Sequence, residues 1–228
     1  MRIVITGAGR GIGLGLAKAY VARGYDVHAT ARKPAAATAL SELAAASDGK
    51  LKIHQLDVTD DDAVERLGDE IGEVPVDILF NNAGVGSSYT GLANLDLEEA
   101  ILQFNTNALG PLRVTRALLD NVVSARGKIV NISSTMGSIG DNTSGRAYPY
   151  RMSKAALNMA SKNMALELSR HGITVIIVNP GWVQTDMGGI SAPTPVADAV
   201  ANITGLVDRL RPEDNGKFLH AEGRELPW

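Results

Sequence analysis

At 228 residues the chain has length for one or two domains, and a hydrophobic share of 45% is ample for a core. A formal net charge of −3 leaves no basic field for nucleic acid and no polybasic membrane patch, so neither partner is expected. With no cysteine, disulfides, thiolate catalysis and Cys-ligated metals are excluded, and His28, His54, His171 and His220 stand singly, so no metal site is expected.

Strand and helix signals alternate from end to end. Arg2–Thr6 is a β-branched run that reads as a buried strand, and Gly7-Ala8-Gly9-Arg10-Gly11-Ile12-Gly13 follows it directly. Leu14, Leu16, Ala17 and Tyr20 continue at helical spacing, predicting a helix over Ile12–Arg23. Strand, Gly-rich turn and helix is the layout that aims free backbone N–H groups at a phosphate; glycine is needed where a side chain would block the turn or a pyrophosphate. The spacing is Thr-Gly-x-x-x-Gly-x-Gly over Thr6, Gly7, Gly11 and Gly13, and Ile12 stands where G-x-G-x-x-G would require glycine. No Gly-Lys-Ser/Thr ending is present, which argues against an ATP or GTP loop.

Further strands are predicted at Asp26–Thr30, Lys52–Leu56, Val76–Asn81, Lys128–Ser133, Thr174–Asn179 and near Lys217–His220. Helices are predicted near Pro34–Ala46, Asp61–Ile71, Leu97–Ala125, Tyr150–Arg170 and Val196–Leu210. Pro34 suits a first helical turn, Asp96 with Glu99 suits a capping box, and His171-Gly172 suits a helix end. Pro111 predicts a kink or break in the long Leu97–Ala125 helix, and a kink there could present Asn107 towards the sheet's carboxyl edge. The runs with Val76, Ile78, Leu79 and Phe80 and with Val175, Ile176, Ile177 and Val178 are nearly continuous apolar stretches, as parallel strands buried on both faces should be. The expected fold is α/β: one domain over 1–228, a doubly wound parallel sheet (Rossmann) with helices on both faces. The longest apolar stretch, Ile173–Val178, is far below the roughly 18 residues of a membrane span. With a core strand opening at Arg2, no leader and a cytoplasmic location are expected.

Tyr150 and Lys154 stand four residues apart, one helical turn on a shared face. A phenol titrates near pH 10, and a cation alongside favours the phenolate, which is expected to make Tyr150 a usable general acid/base. Tyr148 is a rival but falls on another face, six residues before Lys154. The carboxyl ends of the strands gather the other candidates: Gly7–Gly13, Asn82–Gly84, Ser134 and Pro180–Thr185.

Together these residues resemble the short-chain dehydrogenase/reductase family, in its single-domain branch, along the whole chain. Thr6-Gly7-x-x-x-Gly11-x-Gly13 is similar to its cofactor loop, and Asn81-Asn82-Ala83-Gly84 to its fourth-strand signature. The Tyr150–Leu157 run, the short region after Thr185 and the ending Gly216–Trp228 resemble the C-factor and sniffer-like carbonyl reductases. The resemblance implies a catalytic set of Asn107, Ser134, Tyr150 and Lys154: Tyr150 moves the proton, Ser134 holds the substrate oxygen, Lys154 tunes Tyr150 and binds ribose, and Asn107 sustains a relay behind Lys154. Ser133 is expected to turn away from the site. The seven-residue Tyr–Lys spacing of the enoyl reductases is not met, since Ala147 stands there.

It also implies cofactor contacts from Gly7, Arg10, Gly11, Ile12, Gly13, Arg32, Asp57, Val58, Asn82, Ala83, Gly84, Tyr150, Lys154, Pro180, Gly181, Val183 and Thr185. An NAD enzyme commonly ends its second strand with an acid; here Ala31 stands there, and Arg32 and Arg10 would attract a 2′-phosphate, so NADP(H) is expected. The related epimerase branch would need glycine at Arg10, and non-catalytic dinucleotide-binding regulators commonly lose the Tyr or Lys that this chain keeps. The expected partner is a small carbonyl or alcohol substrate in an open pocket bounded by 86–91, 139–146 and 182–190, with no charged residue clearly placed to read an anionic arm. A homodimer or homotetramer through the Tyr150 helix and the Leu97–Ala125 helix is expected as well.

Overall fold

A computed structural model describes residues 1–86 and 89–228. Fifteen regular elements follow in chain order: β1 (Arg2–Ile5), α1 (Gly11–Ala22), β2 (Asp26–Ala31), α2 (Thr38–Ala45), β3 (Leu51–Gln55), α3 (Asp61–Ile71), β4 (Ile78–Asn81), α4 (Leu97–Phe104), α5 (Gly110–Ala117), α6 (Leu119–Ala125), β5 (Lys128–Ile132), α7 (Tyr148–Leu168), β6 (Thr174–Asn179), α8 (Val196–Arg209) and β7 (Phe218–His220). The strands form one seven-stranded parallel sheet in the order β3-β2-β1-β4-β5-β6-β7. Strand order reverses between β1 and β4, which opens a crevice at the carboxyl edge, as doubly wound sheets require for a ligand.

Side-chain alternation divides the core between the two faces. Ile3 and Ile5 pack with Leu16, Tyr20 and Ile203 on one side, and Val4 packs with Leu67, Val114 and Val122 on the other. On the second face, a buried polar chain laces the elements that carry the candidate site. The Asn81 amide donates to Thr115 Oγ1 at 3.1 Å and to Asn131 Oδ1 at 2.8 Å, and the Asn131 amide donates to Ser161 Oγ at 2.8 Å. These bonds run between elements and hold β4, β5, α5 and α7 in one register, while Asn81 Oδ1 is buried without a partner among the described residues.

One helix expectation is corrected and another is met. Pro34–Ala46 is a 3₁₀ turn at Pro34–Ala36 and then α2, because Ala37 leaves helical geometry at φ −92, ψ 59. Leu97–Ala125 is interrupted just before Pro111, as expected, and divides once more at Leu118. A π-turn over Asn105–Leu109, with Gly110 N–H reaching back to the Asn105 carbonyl, precedes Pro111, and Leu118 (φ −105, ψ 15) separates α5 from α6. Pro111 has no N–H for the Asn107 carbonyl and would crowd it, and the widened turn takes up that misfit. At the head of α4, Asp96 caps the N–H groups of Glu98 and Glu99, while Glu99 accepts instead from Gln103. Among the described residues, no helix is long and apolar enough to cross a membrane.

Candidate active site

The connections after β1 to β6 open on one cleft of about 900 Å³. At its centre, Gly7 has φ +66, and a Cβ there would lie 2.8 Å from the Ala83 Cα, so the loop closes on β4 only with glycine. Thr6 Oγ1 accepts from the Asn82 and Ala83 N–H groups at 3.0 Å each, and the Asn82 amide donates to the carbonyls of Thr6 (2.9 Å) and Gly7 (3.1 Å). A Cβ on Gly13 would strike the Gly7 carbonyl and the Asn82 amide, which seats α1 tightly on the loop.

α1 begins with Arg10 extended at its N-cap, no side-chain cap and no acidic residue in its first turn. Its first N–H groups and the positive end of its dipole therefore face the cleft uncompensated, which suits a pyrophosphate. Of the residues expected at the cofactor, Gly7, Arg10, Gly11, Ile12, Arg32, Asp57, Val58, Asn82, Ala83, Gly84, Tyr150, Lys154, Pro180 and Thr185 line the cleft. Gly13, Gly181 and Val183 do not: Gly13 packs against the loop, Gly181 takes the left-handed φ +85, and Val183 is buried in a bridge with Thr194.

One end of the cleft is cationic. Ala31, Arg32 and Lys33 come from the end of β2, Asp57 and Asp60 from beyond β3, and Arg66 from α3. Burial pushes the Asp57 carboxyl up, but hydrogen bonds from Thr59 N–H and Oγ1–H and the nearby Arg32 charge outweigh it and hold the group below its ordinary value. Lys33 and Arg66 were not among the expected residues. Arg66 stands three residues after the cleft-lining Ala63 on the same helix face, a phase relation legible in α3 only once Ala63 is known to face the cleft. Arg10 is not free at the rim, since its Nη1 pairs with Asp186 Oδ2 at 2.6 Å across the cleft mouth.

Tyr150 and Lys154 rise from the first turns of α7 beside this wall. Lys154 Nζ donates to the Ile132 carbonyl at 2.8 Å and lies 5.7 Å from the Tyr150 ring centre. Burial lowers Lys154 to about 8. Burial likewise pushes the Tyr150 phenol above its ordinary value, with hydrogen bonding to Ser134 acting weakly the other way. The expected lowering of Tyr150 by Lys154 is therefore corrected: the ammonium is spent on a backbone carbonyl, and desolvation of the phenolate outweighs it.

Ser134 hydrogen-bonds Tyr150 and accepts from Met136 N–H at 3.1 Å, although Ser133 and not Ser134 is among the residues that line the cleft. Ser133 Oγ turns away to Asn158 Oδ1 at 2.6 Å, as alternation requires. Asn107 is fully buried and borders Gly84, as Lys154 Nζ does: its carboxamide accepts from Val85 N–H and donates to the Val85 carbonyl, both at 2.8 Å, and donates to Ser153 Oγ at 3.0 Å. Ser153 Oγ in turn donates to the Tyr150 carbonyl at 2.8 Å. Asn107 thus joins the π-turn, the Gly84–Val85 wall and the base of the Tyr150 turn.

The substrate side is bounded by Met187 on the cleft and by exposed Ile139, Trp182 and Ile190; of the expected 86–91 wall, Ser87 and Ser88 lie outside the described residues. Arg146 and Arg151 stand near Tyr89 on this side, with the Arg151 guanidinium engaged by Gly145, Ser144 and Met136.

The model of the short chain dehydrogenase family matches residues 1–194. The chain belongs to the short-chain dehydrogenase family. This short-chain dehydrogenase is 46% identical to the C-signal of Myxococcus xanthus over 155 residues, 68% of this chain and 93% of that protein. Its fold is similar to the carbonyl reductase Sniffer of D. melanogaster, with a TM-score of 0.96 and 32% identity, covering 100% of this chain and 99% of that one. The NADPH-bound carbonyl reductase from chicken fatty liver superposes with a TM-score of 0.94 at 33% identity, covering 100% of this chain and 98% of that one. The relatives expected from the sequence motifs are therefore the relatives found.

Proposed function

We propose that this chain is an NADP(H)-dependent carbonyl reductase that interconverts a carbonyl compound and its secondary alcohol, with Tyr150 as general acid/base. The observation that carries this reading is one cleft holding, along its length, a cationic end, an uncapped helix N-terminus and a buried Tyr150–Lys154 pair. When bound, NADPH supplies the hydride. The chain's own groups handle the oxygen and its proton. Burial keeps the Tyr150 phenol protonated at neutral pH, the state that carbonyl reduction needs, so Tyr150 Oη donates its proton to the substrate oxygen. Ser134 Oγ–H donates a hydrogen bond to the same oxygen and holds it beside the phenol. Lys154, anchored on Ile132, offers its remaining N–H donors to ribose hydroxyls. Gly11 and the first turn of α1 take the pyrophosphate, and Arg32, Lys33 and Arg66 take the 2′-phosphate.

The exposed apolar rim of Ile139, Trp182, Met187 and Ile190 suits an apolar carbonyl compound in an open pocket. Ile101, Leu112, Met152, Met159 and Leu166 leave apolar surface on α4, α5 and α7, which fits a homodimer through these helices, and a cytoplasmic location fits such an enzyme.

The test is consumption of NADPH with a panel of apolar aldehydes and ketones, in wild type and in Tyr150→Phe. Turnover in the wild type that collapses in the variant supports the reading, and turnover that survives in the variant overturns Tyr150. The identity to the C-signal favours a second reading, a dinucleotide-binding signalling protein. NADPH binding without turnover of any carbonyl would favour it.

A further inference from the structure

Arg151 follows Tyr150 on α7 and is absent from the cofactor cleft, yet its guanidinium is fully employed. Nε donates to the Gly145 carbonyl at 3.0 Å, Nη2 to Ser144 Oγ at 2.9 Å, and Nη1 reaches the Met136 carbonyl at 3.5 Å. Ser144 Oγ stands 3.0 Å from Tyr89 Oη. One planar group therefore gathers both ends of the β5–α7 connection, from just beyond Ser134 to just before α7, and adds Tyr89 from the connection after β4.

The β5–α7 connection has bonds of its own, from Gly145 N–H to Asn142 and from Gly140 N–H and Ser138 to the Trp228 carbonyl, but its last residues before α7 are strained. Gly145, Arg146 and Ala147 take left-handed φ of 60, 56 and 47 in succession, and two of the three carry a Cβ that disfavours this region. α7 has no side-chain N-cap, and Ala147 N–H bonds outside the helix, to the Thr90 carbonyl at 3.0 Å. Tyr150 follows three residues after Ala147, so any relaxation of this entry displaces the phenol relative to the substrate walls. Electrostatics agree with the geometry: the hydrogen bond with Ser144 and those from Arg151, with the charges of Arg151 and Arg146, hold the Tyr89 phenol below its ordinary value.

We propose that Arg151 is a positioning residue for the substrate. It fixes the 136–145 wall and Tyr89 against the catalytic helix and so sets which carbonyl compounds fit beside Tyr150. The kinetic part rests on the reductase reading above. The device depends on the fork of the guanidinium, because a lysine ammonium keeps the charge and cannot meet a carbonyl, a hydroxyl and a second carbonyl from one plane.

The test compares wild type with Arg151→Lys and, as a milder break of one link on an exposed loop, Ser144→Ala. For a bulky ketone, Arg151→Lys should raise KM roughly tenfold, equivalent to about 1.4 kcal/mol, with kcat changed only a few-fold and NADPH Kd unchanged. Ser144→Ala should shift KM in the same direction by less. Independently of turnover, amide exchange over 136–147 should quicken in Arg151→Lys, and a Tyr89 titration, assigned by difference against Tyr89→Phe, should move up. Full rescue of KM by lysine, or equal losses in KM and NADPH affinity, overturns the proposal. Unchanged exchange and an unmoved Tyr89 overturn it as well. If the wild type turns over no carbonyl compound, the reductase reading falls, and the exchange and titration arms still decide whether Arg151 fastens the wall.

Discussion

Lys154 holds the Ile132 carbonyl at 2.8 Å from inside the protein, with its ammonium 5% exposed and 5.7 Å from the Tyr150 ring centre. A cation kept this dry is a liability to the fold. Its value falls from the ordinary 10.5 to about 8, so below pH 8 the folded chain carries a charge it holds less well than the unfolded chain does.

Lys154→Met should therefore abolish turnover and raise thermal stability at pH 7. The shift converts to ~3 kcal/mol at most, and loss of the Ile132 hydrogen bond leaves a gain of about 1–3 kcal/mol. The gain should shrink as pH rises from about 8 to 10.5, where the unfolded lysine also loses its proton. Thermal melts at pH 7 and pH 10 check this, and a lower melting temperature for the variant at pH 7 would count against it.

Tyr150→Phe should retain NADPH affinity and lose about 10²–10⁴-fold in kcat, the usual worth of general acid–base catalysis. Because burial raises the phenol, wild-type carbonyl reduction should stay flat through neutral pH and decline only as Tyr150 loses its proton above its ordinary range. A rate already falling between pH 6 and pH 8 would point to another proton donor.

Cofactor choice should favour NADPH over NADH by roughly 10–1,000-fold, or about 1.4–4 kcal/mol. Ala31 leaves no acid to repel a 2′-phosphate, and Arg32, Lys33 and Arg66 line the same end of the cleft. Ala31→Asp with Arg32→Ala should invert the ratio of kcat/KM values. Arg66→Ala alone should weaken NADPH and spare NADH, and equal losses with both would place Arg66 outside phosphate recognition.

Acid stability should depend on His28. His54 Nδ1–H donates to Glu70, which leaves His54 Nε2 to accept from His28 Nδ1–H at 2.9 Å. His28 Nε2 is then a bare lone pair, buried and 3.7 Å from the Asp26 carboxylate. Burial lowers His28 to about 4, so between its ordinary 6.5 and about 4 the unfolded chain binds a proton that the folded chain refuses. Stability contributed above pH 6.5 should be lost as pH falls through this window, by up to ~3 kcal/mol, and no further below it. Denaturant melts from pH 7 to pH 4 should show a shallower acid limb in His28→Leu, and an unchanged slope would assign the limb to other groups.

The sequence made the sheet legible because its strands are apolar on both faces, and the glycine loop legible because strand and helix flank it. The π-turn was not legible: Pro111 announces a misfit, but whether the chain answers with a kink or a widened turn is decided by packing, here with Gly110 tight against Val58. Spacing brings Tyr150 and Lys154 together and says nothing of how deeply they are buried, and burial is what sets the direction of the Tyr150 shift. Asn107 was placed at the site, but its hydrogen-bond partners, Val85 and Ser153, lie 22 and 46 residues away and could only be found in space. Arg151 went unremarked because an arginine on a helix is ordinary until its three acceptors are located.

The Asn82 side chain spends both its hydrogens on the carbonyls of Thr6 and Gly7. The glycine loop and the end of β4 are accordingly one mechanical part, made from segments about 75 residues apart in the chain. A lesion at Asn82 would slacken the phosphate cradle from behind. In a binding assay it would pass for the loss of a cofactor ligand, although the amide serves the cradle through the backbone it braces.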